Sequence, residues 1–382
     1  MEPKAKILHF ADYSPDFSGS FVETLEGLTL SLKEQQIDSV LVFPIYKKWQ
    51  EVLQKKNINI EIFPSPNFSR PITVFKLLVR LKKIINRYNS QIVHCHFSRN
   101  YLIFIILYKY LFQRNLRIVW HWHNPPATLI GASNNYIKLI FRNQFYKVLS
   151  KLIDMHIAIS SEIYNWLSSF CKNVAYIPNG ISLKKFDVSS FDKTYDIRDE
   201  FKISKDCSII CSVANFRPQK DYHTLLEAAK RVIDKMSNTF FIFVGDGPTR
   251  SDIEKLSCKL KINNNVIFTG TRKDVEKVIF FSDIFVLSTN FEGLPYVLCE
   301  AMALSKPVVA TNVIGCRDMV KDNSGILTKP YDSRNLADSL LKLLSNKEIA
   351  GKMGKKGRKI VESQFTLEKQ IESIIKIYKT LS

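Results

Sequence analysis

The sequence predicts an α/β protein made of two Rossmann-like domains, and three observations lead there. Short apolar stretches alternate with amphipathic ones along the whole chain, the pattern of parallel strands joined by crossover helices. Several of these stretches run into loops of small or turn-forming residues before the next helix, as at Lys6–Phe10 followed by ADYSPDFSGS. At 382 residues the chain is too long for one ordinary core. The turn tripeptide Pro178-Asn179-Gly180 stands near its middle, where the boundary is placed.

The first half reads as follows. Lys6–Phe10 is a strand and Phe21 to about Lys33 a helix, with Gly19-Ser20 in the loop between them. Strands follow at Ser39–Phe43 and around Ile58–Ile62. Pro71–Tyr88 is an amphipathic helix with Phe75, Leu78, Val79, Leu81 and Ile85 among its apolar positions. Gln91–Phe97 (QIVHCHF) is a strand. Tyr101–Phe112, nearly all apolar, is too short to span a bilayer and reads as a buried helix. Arg117–His123 is a strand halted by Asn124-Pro125-Pro126, which leaves a histidine at the sheet's carboxyl edge, where open α/β sheets bind ligands. His121 and His123 lie on the same strand face, and either fits that position. Asn134–Ile153 is a second basic helix rich in aromatic residues.

In the second half, SIICSVANFRPQKDYHTLLEAA (Ser208–Ala229) is a strand, a positively charged turn and a helix. Lys220 and Arg217 at that turn suit a diphosphate, to which cationic side chains make charge-assisted bonds. Thr239–Val244 and the stretch from Asn263 to Ile279 supply further strands. The most informative stretch is Leu287–Val309, LSTNFEGLPYVLCEAMALSKPVV: the tail of an apolar strand, a glycine-bearing turn, then a helix entered through Pro295. Such a helix start is an anion site. Glu292 stands in the turn, and Glu300 lies roughly 8 Å along the helix axis from Pro295. Carboxylates beside an anion are sensible when they accept hydrogen bonds from hydroxyls, which a nucleotide sugar carries at both ends. A final helix runs from about Thr366 to Leu381.

Composition narrows the classes. Hydrophobic residues make up 46% of the chain, which excludes a disordered protein. The start lacks the apolar run of a signal peptide, and a reduced, cytoplasmic protein is expected. The seven cysteines are scattered, with Cys207 and Cys211 the only close pair, so neither a zinc site nor a disulfide framework is expected. The formal net charge is +19. From residue 62 to 153 there is no acidic residue against 14 Lys and Arg, which points to an anionic partner for the first half.

Glu292-Gly-Leu-Pro-Tyr-Val-Leu-Cys-Glu300, followed by AMALSKPVVAT, resembles the Glu-(seven residues)-Glu signature of the retaining GT-B glycosyltransferases of the large family four. The resemblance runs from the first strand to the last helix. It implies a GT-B fold: an acceptor-binding domain at 1–180, a nucleotide-sugar-binding domain at 181–365, a cleft between them, and a helix at 366–382 crossing back. It implies transfer of a hexose-type sugar from a nucleoside-diphosphate sugar to an acceptor hydroxyl, with retention, no metal and no further cofactor. Glu300 would hold ribose. Glu292, with Gly293, Leu294, Pro295, Tyr296 and Val297, would hold the sugar, and Lys220 and Arg217 the diphosphate. Gly270 and Arg272 would lie near the nucleobase, and Gly19 would allow close backbone approach to donor or acceptor. His123, or His121 if the register is off by two, belongs to the catalytic centre.

Three departures are visible. The loop has Gly19-Ser20 in place of two glycines, Asn215 stands where the family commonly has Arg, and Gly315-Cys316-Arg317-Asp318 replaces the usual double glycine and glutamate. The resemblance also implies a lipid-linked acceptor at the inner face of the cell membrane, in surface polysaccharide or glycolipid synthesis. The basic first half, with Pro71–Tyr88, Tyr101–Phe112 and Asn134–Ile153, is expected to bind that anionic surface peripherally. A nucleotide-sugar epimerase or phosphorylase of the same architecture is the alternative enzyme. A nucleic-acid-binding protein would also explain the charge, but no RNA- or zinc-type signature accompanies it, and no nucleic-acid partner is expected.

Overall fold

The computed structural model describes residues 6–15, 19–126, 144–192 and 196–382. Two compact units are present, 1–179 with 367–382, and 180–366.

The first unit is built on seven parallel strands: β1 (Lys6–Ala11), β2 (Ser39–Phe43), β3 (Asn59–Ile62), β4 (Ser90–His96), β5 (Arg117–Trp122), β6 (Met155–Ala158) and β7 (Val174–Tyr176). Their order is β3-β2-β1-β4-β5-β6-β7, so the chain reverses its direction of travel between β1 and β4. That is the switch point at which a doubly wound sheet opens a crevice. The connecting helices are α1 (Ser20–Glu34), α2 (Gln50–Lys55), α3 (Pro71–Tyr88), α4 (Arg99–Phe112), α5 (144–150) and α6 (Ser161–Ser168). The expected Asn134–Ile153 helix is described only in its later part, residues 134–143 lying outside the described residues. The short helix α2 carries too few apolar positions to announce itself. The apolar stretch of α4 is a core helix: Tyr101, Leu102, Phe104, Ile105, Ile106 and Tyr108 are buried. Among the described residues no helix is long and apolar enough to cross a membrane.

The second unit contains β8 (Ser208–Val213), β9 (Thr239–Val244), β10 (Val266–Gly270), β11 (Ile284–Leu287), β12 (Val308–Thr311) and β13 (Ile326–Thr328), all parallel, in the order β10-β9-β8-β11-β12-β13. Its helices are α7 (Ile197–Phe201), α8 (Tyr222–Lys235), α9 (Arg250–Lys259), α10 (Val275–Phe281), α11 (Tyr296–Ala303), α12 (Cys316–Met319), α13 (Ser333–Leu344) and α14 (Lys347–Gln364). The switch point lies between β8 and β11, the strands that lead into the Lys220 turn and the Glu292 turn. Both sheets are covered, which is why their strands read as continuous apolar runs and not as alternating ones.

The last helix, α15 (Leu367–Leu381), belongs to the first unit. Ile371, Ile374, Ile375 and Tyr378 join Leu28 and Leu32 of α1 and Ile7, Ile92 and Val119 of the sheet in one core. Gly27 lets the two helices approach, since a Cβ there would lie 2.9 Å from the Ile371 Cδ1.

Candidate active site

In the second unit, two turns at the carboxyl ends of β8 and β11 are tied together residue by residue. The Gln219 carbonyl accepts from the Asn290 N–H at 2.8 Å, and the Gln219 Nε2 donates to the Phe291 carbonyl at 2.6 Å. Ser288 Oγ donates to the Asp221 carbonyl at 3.0 Å. On the other side, Thr311 Oγ1 of β12 donates to the Thr289 carbonyl at 2.6 Å and accepts from the Thr289 N–H at 2.9 Å. This bonding leaves Glu292 one orientation. Its Oε1 accepts from Thr289 Oγ1 at 2.9 Å and is ion-paired with Lys220 Nζ. Glu292 is only 7% exposed.

The helix after the turn, α11, begins at Tyr296, with Pro295 as its cap and not its first residue; the Pro295 carbonyl accepts from Leu298 and Cys299. Glu300 on α11 is 9% exposed. Gly293, Leu294 and Pro295 are buried, and Tyr296 and Val297 are half-buried at the helix start. A helix N-terminus flanked by two carboxylates and one ammonium can take an anion and hydroxyl groups together. Burial, with the negative charge of Glu292 second, pushes the Cys316 thiol up; burial, with Glu300 second, does the same to Cys299.

Gly315 sits beneath this turn. Its φ of +80° and ψ of −43° lie in a region strained for any L side chain, and a Cβ would come 2.2 Å from the Gly293 carbonyl oxygen. Gly247 makes a similar close approach to the backbone of Phe216, the residue between Asn215 and Arg217.

The first unit presents a different assembly. His9 on β1, His94 and His96 on β4, and His121 on β5 share one face of the sheet, because His9 pairs with His94 and His96 with His121. His123 follows at the end of β5. His96 Nδ1 and His123 Nε2 are 3.0 Å apart, and His123 stacks on Phe97 with centroids at 4.2 Å. All five rings are buried. Burial pulls His9 and His121 down to about 3, His121 with a smaller push from His9. Burial and then neighbouring histidines hold His94, His96 and His123 well below the usual value, so all five are neutral near pH 7. His121 and His123 both line a pocket that Phe97, Arg99, Trp122, Asn124 and Tyr146 also bound; His123, just past the last residue of β5, is 8% exposed against 2% for His121.

Comparison with known proteins is consistent along the chain. The model for Glycosyltransferase Family 4 matches residues 24–185, and that for Glycosyl transferases group 1 matches 194–360. The chain is a GT-B glycosyltransferase of the family-four type. Relatives of this glycosyltransferase include the N-acetyl-alpha-D-glucosaminyl L-malate synthase of Bacillus anthracis, 26% identical over 81% of this chain and 80% of that protein. Another is the UDP-Gal:alpha-D-GlcNAc-diphosphoundecaprenol alpha-1,3-galactosyltransferase of Escherichia coli, 24% identical over 98% and 97%. Among solved structures, Anabaena HepE in complex with UDP and glucose superimposes with a TM-score of 0.80 at 16% identity, covering 98% of this chain and 99% of that one.

The other anticipated residues of the glycosyltransferase fall as follows. Arg217 is exposed and makes no ion pair among the described residues; Asn215 is exposed beside it. Arg217 is therefore the available cation of that turn, Lys220 being held by Glu292. The Gly270 carbonyl, at the end of β10, accepts from Gly245 N–H at 2.9 Å. Arg272 is gripped by two carboxylates, Nη2 lying 3.1 Å from Glu200 and 2.8 Å from Asp274. These bonds drive its pKa up and make it a brace between α7 and the start of α10. Gly19 caps α1 with extended backbone, and its missing side chain makes room for the Tyr13 hydroxyl, which a Cβ would meet at 2.9 Å. Sequence reasoning assigned nothing to Gly315, Thr289 or Thr311. Gly315 had a signal of its own, a lone glycine where the family pattern changes.

Proposed function

We propose that this glycosyltransferase moves a hexose-type sugar from a nucleoside-diphosphate sugar to a hydroxyl of a glycan acceptor, with retention at the anomeric carbon. The observation that carries the reading is the Lys220–Glu292 pair, held by Thr289 at the start of the helix that bears Glu300. Glu300 accepts the ribose hydroxyls, and Glu292 with the Gly293–Val297 backbone accepts and orients those of the sugar. Arg217 and Lys220, with the start of α11, neutralise the diphosphate as its bond to the sugar breaks. The bond from the anomeric carbon to phosphate oxygen breaks while that to the acceptor oxygen forms on the same face. The acceptor's proton passes to the departing phosphate. Cationic side chains and a helix start can supply the charge that a metal supplies elsewhere. His123 positions the donor sugar.

The acceptor reading is a lipid-linked glycan at the inner membrane face, in surface polysaccharide or glycolipid synthesis. The Escherichia coli relative's diphosphoundecaprenol acceptor supports it. So does α3, where Ile72 (75% exposed) and Phe75 (63%) form a bare apolar stripe with Val79. Lys76 and Lys83 border it without ion pairs among the described residues, and Lys82 lies 5.3 Å from the centroid of Phe112. A stripe of this kind suits a peripheral helix at an anionic interface.

The test is a panel of uridine and guanosine diphosphate sugars, read by nucleotide release and thermal shift, with the product's anomeric configuration read by NMR. Glu300→Ala and Lys220→Ala should each remove most turnover in folded protein; near-normal turnover in both would overturn the site. A new sugar nucleotide formed without acceptor would instead make the protein an epimerase.

A further inference from the structure

The histidines of the first unit exceed what sugar transfer asks of them. Five of the chain's seven lie on one buried sheet face, with His96 ending β4 and His123 just past the end of β5. Six ring nitrogens among them have no hydrogen-bond partner among the described residues: both of His9, both of His121, and the Nε2 of His94 and His96. A buried polar atom left unsatisfied is costly, and this many on neighbouring rings call for a ligand that takes several together.

We propose that His9, His94 and His96 form a binding site for a borderline divalent transition metal of the zinc, cobalt or nickel class. Each offers one ring nitrogen, and these lie within 4.8 Å of one another, close enough for rotation of the rings to bring them around one ion. Three imidazoles with a fourth position left to water is an ordinary ligand set for such a metal. The outer bonds are those that metal-bound histidines use. His94 Nδ1 is bonded to the Tyr378 hydroxyl and His96 Nδ1 to His123 Nε2. When each Nδ1–H donates outward, both Nε2 atoms keep a lone pair for a ligand, and the His9 ring lies near both, with centroids at 5.3 and 5.8 Å. Three lone pairs cannot all be satisfied by one water, which has two hydrogens; one cation can take all three.

A second trio, His96 with His121 and His123, is also close enough. The first trio is preferred because each of its rings carries a buried nitrogen with no partner among the described residues, and no nitrogen of His123 is in that state. The ion would join β1 to β4 and, through Tyr378, to α15. Through His96 Nδ1–H it would also fix the tautomer of His123. This site is distinct from the diphosphate site on the second unit and does not rest on the donor assigned above.

The experiment uses full-length protein made without a polyhistidine tag, stripped with chelator and titrated with Co2+. The expected result is one tightly held Co2+ per chain, with the visible bands of a four-coordinate ion, displaced by Zn2+ and raising the melting temperature. His9→Leu should abolish the bands. Tyr378→Phe should weaken binding about 10–100-fold, the range for loss of a group behind a ligand. His223→Ala, at an exposed histidine on α8, should change nothing. Circular dichroism of each variant checks that it is folded. Wild-type protein that binds no Co2+ would overturn the proposal without recourse to any variant. Binding that survives His9→Leu would overturn the choice of ligands.

Discussion

Replacing Gly315 by alanine tests the geometry of the candidate site at a residue that need not touch substrate. The added Cβ would stand 2.2 Å from the Gly293 carbonyl oxygen and 2.7 Å from its carbonyl carbon, where ordinary contact begins at 3.4 Å. Backbone must therefore move by about 1 Å. The Gln219 and Thr311 bonds hold this turn on both sides, so the strain falls on Gly293–Pro295. A strained conformation of this type costs about 1–3 kcal/mol. At about 2–4 °C per kcal/mol for a unit of this size, the melting temperature should fall by about 2–12 °C. A displacement of about 1 Å in groups that position a substrate costs about 100-fold in rate. The assay is kcat/KM for nucleotide release from the best donor of the panel, with melting followed in parallel. Gly351→Ala is the control: nothing lies within 4 Å of its Cβ on α14, so activity should hold and stability rise by up to about 1 kcal/mol. A Gly315→Ala enzyme with near wild-type kcat/KM would refute the claim that this close approach shapes the site.

Other outcomes follow from single contacts. Lys220→Met leaves the buried Glu292 carboxylate without its cation and should destabilise by about 3 kcal/mol in denaturant melts; adding Glu292→Gln should restore stability but not turnover. Trp122 Nε1 donates to His156 Nδ1, and burial pulls His156 down to about 4. Its unfolded form takes up the proton first, so stability is lost as pH falls from about 6.5 to 4, by at most about 1.4 kcal/mol per unit. Comparing wild type with His156→Asn across that window should show their stability difference shrinking. Sedimentation with anionic liposomes should decline at least tenfold in Lys82→Glu/Lys83→Glu and in Phe75→Ser, and with added salt for the wild type; equal sedimentation of all three would dismiss the α3 stripe. Arg272→Ala should cost about 1 kcal/mol, since Glu200 and Asp274 are each partly solvated.

What was legible in the sequence was local. The β11–turn–α11 stretch announces itself because strand, glycine turn, helix entry and both carboxylates fall within 17 residues, Ile284 to Glu300. The parallel sheets follow from apolar runs that need no partner to be recognised. The pairings that give the site its chemistry are not local. Lys220 meets Glu292, and Arg272 meets Glu200, each across 72 residues of chain. The histidine face exists only because β1 pairs with β4, skipping two strands in sequence. A pair of His-X-His strands hints at it, but His9 looks like any strand residue until the sheet order is known. Which apolar residues of α3 face inward was not legible: Phe75 and Val79 are exposed, and the face turned inward is Val74, Leu77, Leu78, Leu81, Ile84 and Ile85.

The first unit draws its closing helix from the far end of the chain, and this reverses the order of maturation during synthesis. When residue 179 leaves the ribosome, Ile7, Leu28, Ile92 and Val119 still lack the cover of Ile374 and Tyr378. The residues from 180 to 366 are made before α15, and this takes roughly 10–40 s at ordinary elongation rates. The second unit, contiguous in sequence, can complete itself in that interval while the first waits with part of its core open to solvent. A ribosome that stops before α15 is complete would release a chain with a finished second unit and an unsealed first one, a natural client for chaperones and proteases.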